Sequence, residues 1–385
     1  MNILFLTPEY YLKASRSCGG LGVYIRKTAA SLADRGHSVS VLWLSNRNFR
    51  WTDGYVVIQE VQSVACLFPR FPRRLSFIKN FLIFFLDRWR IRNIIKKKLR
   101  REAQVIQAAS YQALAVLCPK EWPLITRLSS LESLLIEARG TKPTLFERCV
   151  IWSELHQIKN SKSIFGPSEF IAKKVMALSH RHVSVIPTVA EKIPLDIVTG
   201  FYNEHLLNKK YLLYFGQLSR IKGTDILIQS LEYIFKKFPD IYMIFIGRDD
   251  GLPNNISCRQ YASILLANHW GRVKFFPPLS HAELIPCIQN ASCVIQPSRV
   301  DNLPNTCIEA LSLNKVVIGT YPTSIEELVK NGINGFLVPK EDPIALSKCI
   351  CKFLRGKERV IHPGLLNNKD NKNIETLEHI YKNCR

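Results

Sequence analysis

The most constraining feature of this 385-residue chain is a pairing that recurs along its length: a short, mostly apolar run followed by a helical pattern. In the first half the runs are Ile3–Leu6, Ser38–Trp43, Tyr55–Val61, Val105–Ala108, Leu124–Arg127, Ser163–Gly166 and Val183–Ile186. In the second half they are Tyr211–Phe215, Tyr242–Ile246, Val273–Phe276, Cys293–Gln296, Val316–Gly319 and Phe336–Val338. Helical patterns fall between them, for example Val23–Asp34, Asp225–Phe238, Ala282–Gln289 and Ile344–Leu354. A strand with no polar face needs a helix on each side, which is the condition of a parallel sheet with right-handed crossovers. The expected fold class is α/β.

The pattern restarts near residue 208, after the polar stretch Thr199–Lys210, and the length suits two domains. We expect Rossmann-like domains at 1–205 and 206–365, facing each other across a cleft at the carboxyl ends of their strands. A tail at 366–385 holds a short helix near Ile374–Asn383. The eleven cysteines form no C-x-x-C pair, so they read as reduced, mostly buried thiols of a cytoplasmic protein. The start, MNILFLTPEYY, lacks a basic leader and reads as a first strand. No run approaches the ~20 apolar residues of a membrane span. The net charge of +22 is uneven: residues 1–190 hold 29 Lys/Arg against 12 Asp/Glu, whereas 191–385 hold 24 against 19. That asymmetry points to an anionic partner for the first half.

Three segments carry chemistry. In Cys18–Val39, Gly19, Gly20 and Gly22 permit a tight loop. A helix beginning near Gly22 would aim free amides at an anion, although a plain tight turn reads the same way. In Tyr214–Leu231, Gly216 ends a strand, Gln217 follows it, and Lys222 and Gly223 enter the next helix. A lysine there can neutralise a diphosphate or simply be solvated. In DNLPNTCIEA, Asp301 and Glu309 stand eight residues apart, which on one helix would leave them roughly 80° apart. Pro304 and Asn305 favour a helix start, so the loop before them breaks that phase. Leu303, Pro304, Asn305 and Thr306 would then present amides to a phosphate or sugar oxygen. The two carboxylates suit sugar and ribose hydroxyls, or are an acid favoured by the helix dipole plus an ordinary surface Glu.

Together these segments resemble the retaining glycosyltransferases of the GT-B fold, family 4 (glycosyl transferases group 1). The resemblance extends to Arg35-Gly36-His37, Pro167-Ser168-Glu169 and Gly335-Phe336-Leu337-Val338-Pro339. It implies an acceptor-side first domain, a second domain that binds a nucleotide sugar, and a last helix crossing back to the first. It also implies transfer of a hexosyl-type sugar from a UDP- or GDP-linked donor to a glycan or lipid-linked acceptor, in surface polysaccharide or lipopolysaccharide biosynthesis. Lys222 and Asp301 are the implied catalytic pair; Gly20, Gly22, Gly216, Gln217, Lys222, Leu303, Pro304, Asn305, Thr306 and Glu309 are the implied donor-binding residues, with no metal or cofactor. Gln217 stands where the family usually has an arginine that helps hold the diphosphate, and Asp301 where it usually has a glutamate. Donor affinity then leans on Lys222, backbone amides and Arg220. No histidine falls in Val105–Gln112, so no general base is named.

Residues 70–101 form a basic segment: from Pro69 to Arg101 there are twelve Lys/Arg and one acid, Asp87, interleaved with aromatics. Such a helix can lie on an anionic membrane surface, which would make the protein peripheral on the inner face, or pack its aromatics on its own domain. Other readings are a nucleic-acid-binding protein, which leaves the cleft motifs unexplained; a glycoside hydrolase using Asp301 and Glu309, which leaves the lysine and glycine loops without a role; and a non-catalytic family member, suggested by Gln217. No nucleic-acid partner is expected.

Overall fold

The computed structural model describes residues 1–11, 19–68, 75–101, 103–188, 196–357, 360–362, 364 and 370–384. The chain divides into two units, Met1–Val189 with Lys369–Arg385, and Ala190–Asn368.

The first unit holds strands β1 (Asn2–Thr7), β2 (Ser38–Ser45), β3 (Phe49–Asp53), β4 (Val56–Gln62), β5 (Val105–Ala109), β6 (Leu124–Arg127), β7 (Ser163–Gly166) and β8 (Ser184–Val185). They form one sheet in the order β3-β4-β2-β1-β5-β6-β7-β8. All neighbours are parallel except β3, which runs antiparallel to β4. Without the edge hairpin, β4-β2-β1-β5-β6-β7 is the 3-2-1-4-5-6 order of a doubly wound sheet. Its helices are α1 (Gly20–Asp34), α2 (Ser76–Arg101), α3 (Glu132–Arg139), α4 (Leu145–Asn160) and α5 (Glu169–Ser179). Helix α4 opens with a capping box between Thr144 and Glu147. The sequence reading missed β3: Phe-Arg-Trp-Thr-Asp is half polar, as an edge strand is, and pairs through a turn at left-handed Gly54.

The second unit begins with α6 (Gly200–His205) and holds β9 (Lys210–Phe215), β10 (Leu218–Ser219), α7 (Thr224–Lys237), β11 (Ile241–Ile246), β12 (Asp249–Gly251), α8 (Cys258–Leu265), β13 (Val273–Phe276), α9 (His281–Gln289), β14 (Cys293–Gln296), α10 (Asn305–Ser312), β15 (Val317–Tyr321), α11 (Ile325–Leu328), β16 (Gly335–Pro339) and α12 (Pro343–Leu354). Its main sheet, β13-β11-β9-β14-β15-β16, has the same doubly wound order and is parallel throughout. Side chains alternate between two cores, as a pleated strand requires. Leu212, Tyr214, Met243, Phe245 and Ile295 enter one core with α7 and α12. Tyr211, Leu213, Phe215, Ile244 and Val294 enter the other, against α9 and α10.

One expectation shifts. The stretch read as a linker, Thr199–Lys210, is part of the second unit. Within that polar text Phe201 packs edge-on against Phe276 at 5.0 Å, and Leu206 is fully buried. The division therefore falls at 189/190, not 205/206. The final helix, α13 (Asp370–Lys382), packs in the first unit: Ile374, Leu377 and Tyr381 share a core with Ile3, Phe5 and Val105. Tyr381 donates to Gln107 Oε1 at 2.5 Å, and Glu378 accepts from Arg35 Nε at 2.8 Å. Among the described residues, no helix is long and apolar enough to cross a membrane.

Two outcomes follow. Tyr381→Phe leaves a buried amide oxygen without its donor, so we expect a loss of about 1–3 kcal/mol in chemical denaturation; an unchanged midpoint would mean α13 is not held this way. Glu154, on α4, is buried and accepts from the backbone of Glu132 at 2.9 Å, and burial pushes its carboxyl up to about 8. The folded state therefore keeps a proton that the unfolded chain releases near its ordinary value of 4.5. Stability should fall as pH rises from that value towards 8, and Glu154→Gln should flatten the dependence. Parallel pH profiles for the two proteins would refute this.

Candidate functional site

In the second unit β9 and β14 lie side by side, and the chain leaves them towards opposite flanks of the sheet. That is the switch point of a doubly wound fold, where the loops part and leave a crevice. Gly216 ends β9 at φ +118°, and a Cβ there would lie 3.3 Å from Thr306 Cγ2. Gly247 ends β11 at φ +152°, with Gly216 O only 1.7 Å from where its Cβ would be. At Gly223, φ is +69° and a Cβ would sit 1.9 Å from the carbonyl oxygen of Pro297. A side chain at 223 is thus opposed by both torsion and contact. This close approach sets the Arg220–Gly223 turn against the loop leaving β14, and the amide of Arg299 donates to Ile221 O at 2.9 Å.

A buried guanidinium fixes the two loops. Arg299 donates to both oxygens of Asp225, at 2.6 and 2.9 Å, to Glu341 Oε1 at 2.8 Å, and to the carbonyl of Arg220. Burial alone would lower the pKa of Arg299, but its bonds to Asp225 and Glu341 outweigh it and hold the group charged. On the same two loops Lys222 Nζ meets Asp301 Oδ2 at 2.5 Å, with the side chains 27% and 12% exposed. Asp301 also accepts from Ser298 Oγ at 3.4 Å and from the amide of Asn302 at 3.1 Å. Ser324 Oγ holds its backbone carbonyl at 2.8 Å.

Helix α10 starts directly after this loop. Leu303 is buried, and Pro304 is the residue before the helix, with no side-chain cap. Of the four residues expected to present amides, Pro304 has no N–H to give; Asn305 and Thr306 supply the first-turn amides that have no partner within a helix. One turn on, Glu309 Oε2 lies 4.0 Å from His281 Nε2 at the start of α9. Between them is buried Cys307: burial pushes its thiol well up, Asp301 and Glu309 add to the rise, and Lys222 opposes it. Such an arrangement can meet an anion with a lysine and helix-start amides, and hydroxyls with two carboxylates. Among the described residues, no group of three or more His, Cys, Asp or Glu could hold a metal ion.

Gln217 donates to Asp250, whose carboxylate is also gripped by Arg248 at 2.5 and 2.8 Å. Arg248 was missed from sequence. It follows Gly247 at the end of β11 as Gln217 follows Gly216 at the end of β9, and that repeated position was the available signal.

In the first unit α1 begins at Gly20, not near Gly22. Gly19 is the residue before the helix, and Gly22 is buried inside the first turn. Cys18 lies outside the described residues. Glu9, unremarked in the sequence, reaches this end: its Oε2 is 2.4 Å from where a Cβ on Gly19 would sit. A carboxylate therefore already stands beside the amides assigned to an anion.

Residues 201–363 match the family described as glycosyl transferases group 1, and residues 18–190 match glycosyltransferase family 4. The spore coat protein SA of Bacillus subtilis (strain 168) is 26% identical over 159 residues, 40% of this chain and 42% of that protein. The capsular polysaccharide biosynthesis glycosyltransferase CapM of Staphylococcus aureus is 28% identical over 184 residues, 46% of this chain and 47% of that one. The chain thus matches under half the length of these curated relatives. Sucrose-phosphate synthase from Thermosynechococcus elongatus superposes with a TM-score of 0.73 at 16% identity, covering 99% of this chain and 96% of that one. HepE of Anabaena, in complex with UDP-glucose, gives 0.65 at 17% identity, covering 100% and 98%. At such identities the likeness is one of fold. With two Rossmann-like units, each carrying its own family match, the chain belongs to the group 1/family 4 glycosyltransferases of the GT-B fold.

Proposed function

We propose that the chain is a retaining glycosyltransferase that moves a sugar from a UDP- or GDP-linked donor to a glycan or lipid-linked acceptor in surface polysaccharide or lipopolysaccharide biosynthesis. The observation that carries the reading is the Lys222–Asp301 pair at the carboxyl ends of β9 and β14, beside the start of α10. An incoming diphosphate would draw Lys222 from Asp301. The freed carboxylate would accept from hydroxyls of the transferred sugar while the amides of Asn305 and Thr306 meet phosphate oxygens. Glu309 would take the ribose diol. As the bond from the anomeric carbon to the phosphate oxygen breaks, the acceptor oxygen bonds to the same face of that carbon and its proton passes to the departing phosphate. Lys222 and the amides stabilise the charge developing on the diphosphate. Arg248 adds a cation on the carboxylate that Gln217 also holds, where the family usually places an arginine. The UDP-glucose bound to HepE and the capsular role in CapM's name support the donor class and the pathway.

Gln217, tied to Asp250, favours a second reading, a family member that binds a donor without turning it over. One set of measurements separates them. A panel of UDP- and GDP-sugars should raise the melting temperature, since ligand at hundredfold excess over Kd stabilises by about 2.7 kcal/mol. Lys222→Ala should abolish the shift; a shift equal to wild type would remove the donor assignment. Asp301→Asn should keep the shift but lower kcat by roughly 10²–10³-fold. Donor binding with no transfer to any acceptor by the wild-type protein would leave the non-catalytic reading standing.

A further inference from the structure

Helix α2 sorts its residues by face in a way the first unit's own packing does not require. Phe84, Asp87, Arg88, Ile91 and Ile95 are buried. The charged pair among them is fully engaged. Asp87 accepts from Ser63 Oγ at 2.6 Å and from the amide of Val64 at 2.8 Å. Arg88 lies over the Phe84 ring at 3.5 Å and donates to the carbonyls of Phe84 and Gln112. Lys79 and Arg90 are likewise turned to backbone carbonyls, of Phe68 and Gln62.

The opposite face is apolar and open. Ile78, Leu82, Phe85 and Trp89 are 55%, 43%, 44% and 55% exposed. Their spacing of four, three and four residues makes one straight stripe along the helix, about 16 Å long. The next two positions of that spacing are Arg92 and Lys96, and Lys96 and Lys97 are exposed. Four large apolar side chains in line, ending in cations, form a patch larger than scattered surface residues explain.

We infer that this stripe of α2 docks the first unit onto an anionic lipid bilayer, lying in the interface and not crossing it. The helix is too polar to span, and an amphipathic helix of this pattern seats its apolar face at the acyl boundary with its cations among headgroups. Charge selects the occupant. A second copy would bring the same excess, 29 Lys/Arg against 12 Asp/Glu in residues 1–190, against itself. A nucleic-acid backbone offers nothing to four aliphatic and aromatic side chains. The inference does not rest on the proposed transferase activity, and its test does not use that activity.

The full-length protein is floated with vesicles of phosphatidylcholine alone and of phosphatidylcholine mixed with phosphatidylglycerol. It should float with the mixed vesicles only and be released by salt. I78S/L82S/F85S/W89S should lower binding at least tenfold while the protein still unfolds cooperatively above the assay temperature; this is about 1.4 kcal/mol at the tenfold limit. K96E/K97E should lower it by about fivefold or more per charge. To guard against misfolding, W89F alone should lose the quenching by brominated lipid that the wild-type protein shows. Equal flotation with both vesicles, a four-serine variant that binds as wild type, or a wild-type dimer that the same variant dissociates would each overturn the inference.

Discussion

A strand buried on both faces must be covered on both faces, and this constraint organises the second unit. Leu212 and Tyr214 on one side of β9, and Tyr211, Leu213 and Phe215 on the other, each need a helix layer. Winding outward from β9 in both directions supplies those layers. It also leaves β9 and β14 adjacent, with their connections departing to opposite flanks. The loops after Gly216 and after Gln296 therefore emerge together, and the charged residues they carry are neighbours although far apart in sequence.

How far this was legible depends on what each residue had to say locally. The wholly apolar strands announced themselves, and β6, β7, β13 and β14 begin and end where their runs do. The strand β3 did not, because an edge strand with one wet face carries few apolar residues. The segment 199–210 read as linker because its polar residues outnumber Phe201 and Leu206, though those two decide where it packs. At the site, Lys222, Asp301 and Glu309 were visible as residue types in a telling order. Their mutual geometry was not, since the 2.5 Å contact between Lys222 and Asp301 depends on a sheet order that no local window contains. Glu9 and Arg248 were missed for the same reason: each matters through a neighbour distant in sequence.

The ion pairs at the site form two tiers with different physics. Arg299 and Asp225 are nearly sealed, with side chains 4% and 8% exposed. Removing one partner would strand a charge in the interior, a change worth several kcal/mol. The Lys222–Asp301 pair is wetter, at 27% and 12% exposed, so its attraction is partly screened and its net contribution modest. A sealed pair suits a fixed frame; a screened pair can trade one anion for another at little penalty.

The contact of Gly223 with the Pro297 carbonyl carries a consequence for variation at this site. The gap between the two loops is set by this main-chain contact and by the sealed Arg299–Asp225 pair, not by the Lys222–Asp301 pair. Altering Lys222 or Asp301 thus changes what the gap holds without changing its width. A single methyl group at 223 would do the reverse, prising the walls apart while every polar group in the crevice stayed chemically intact.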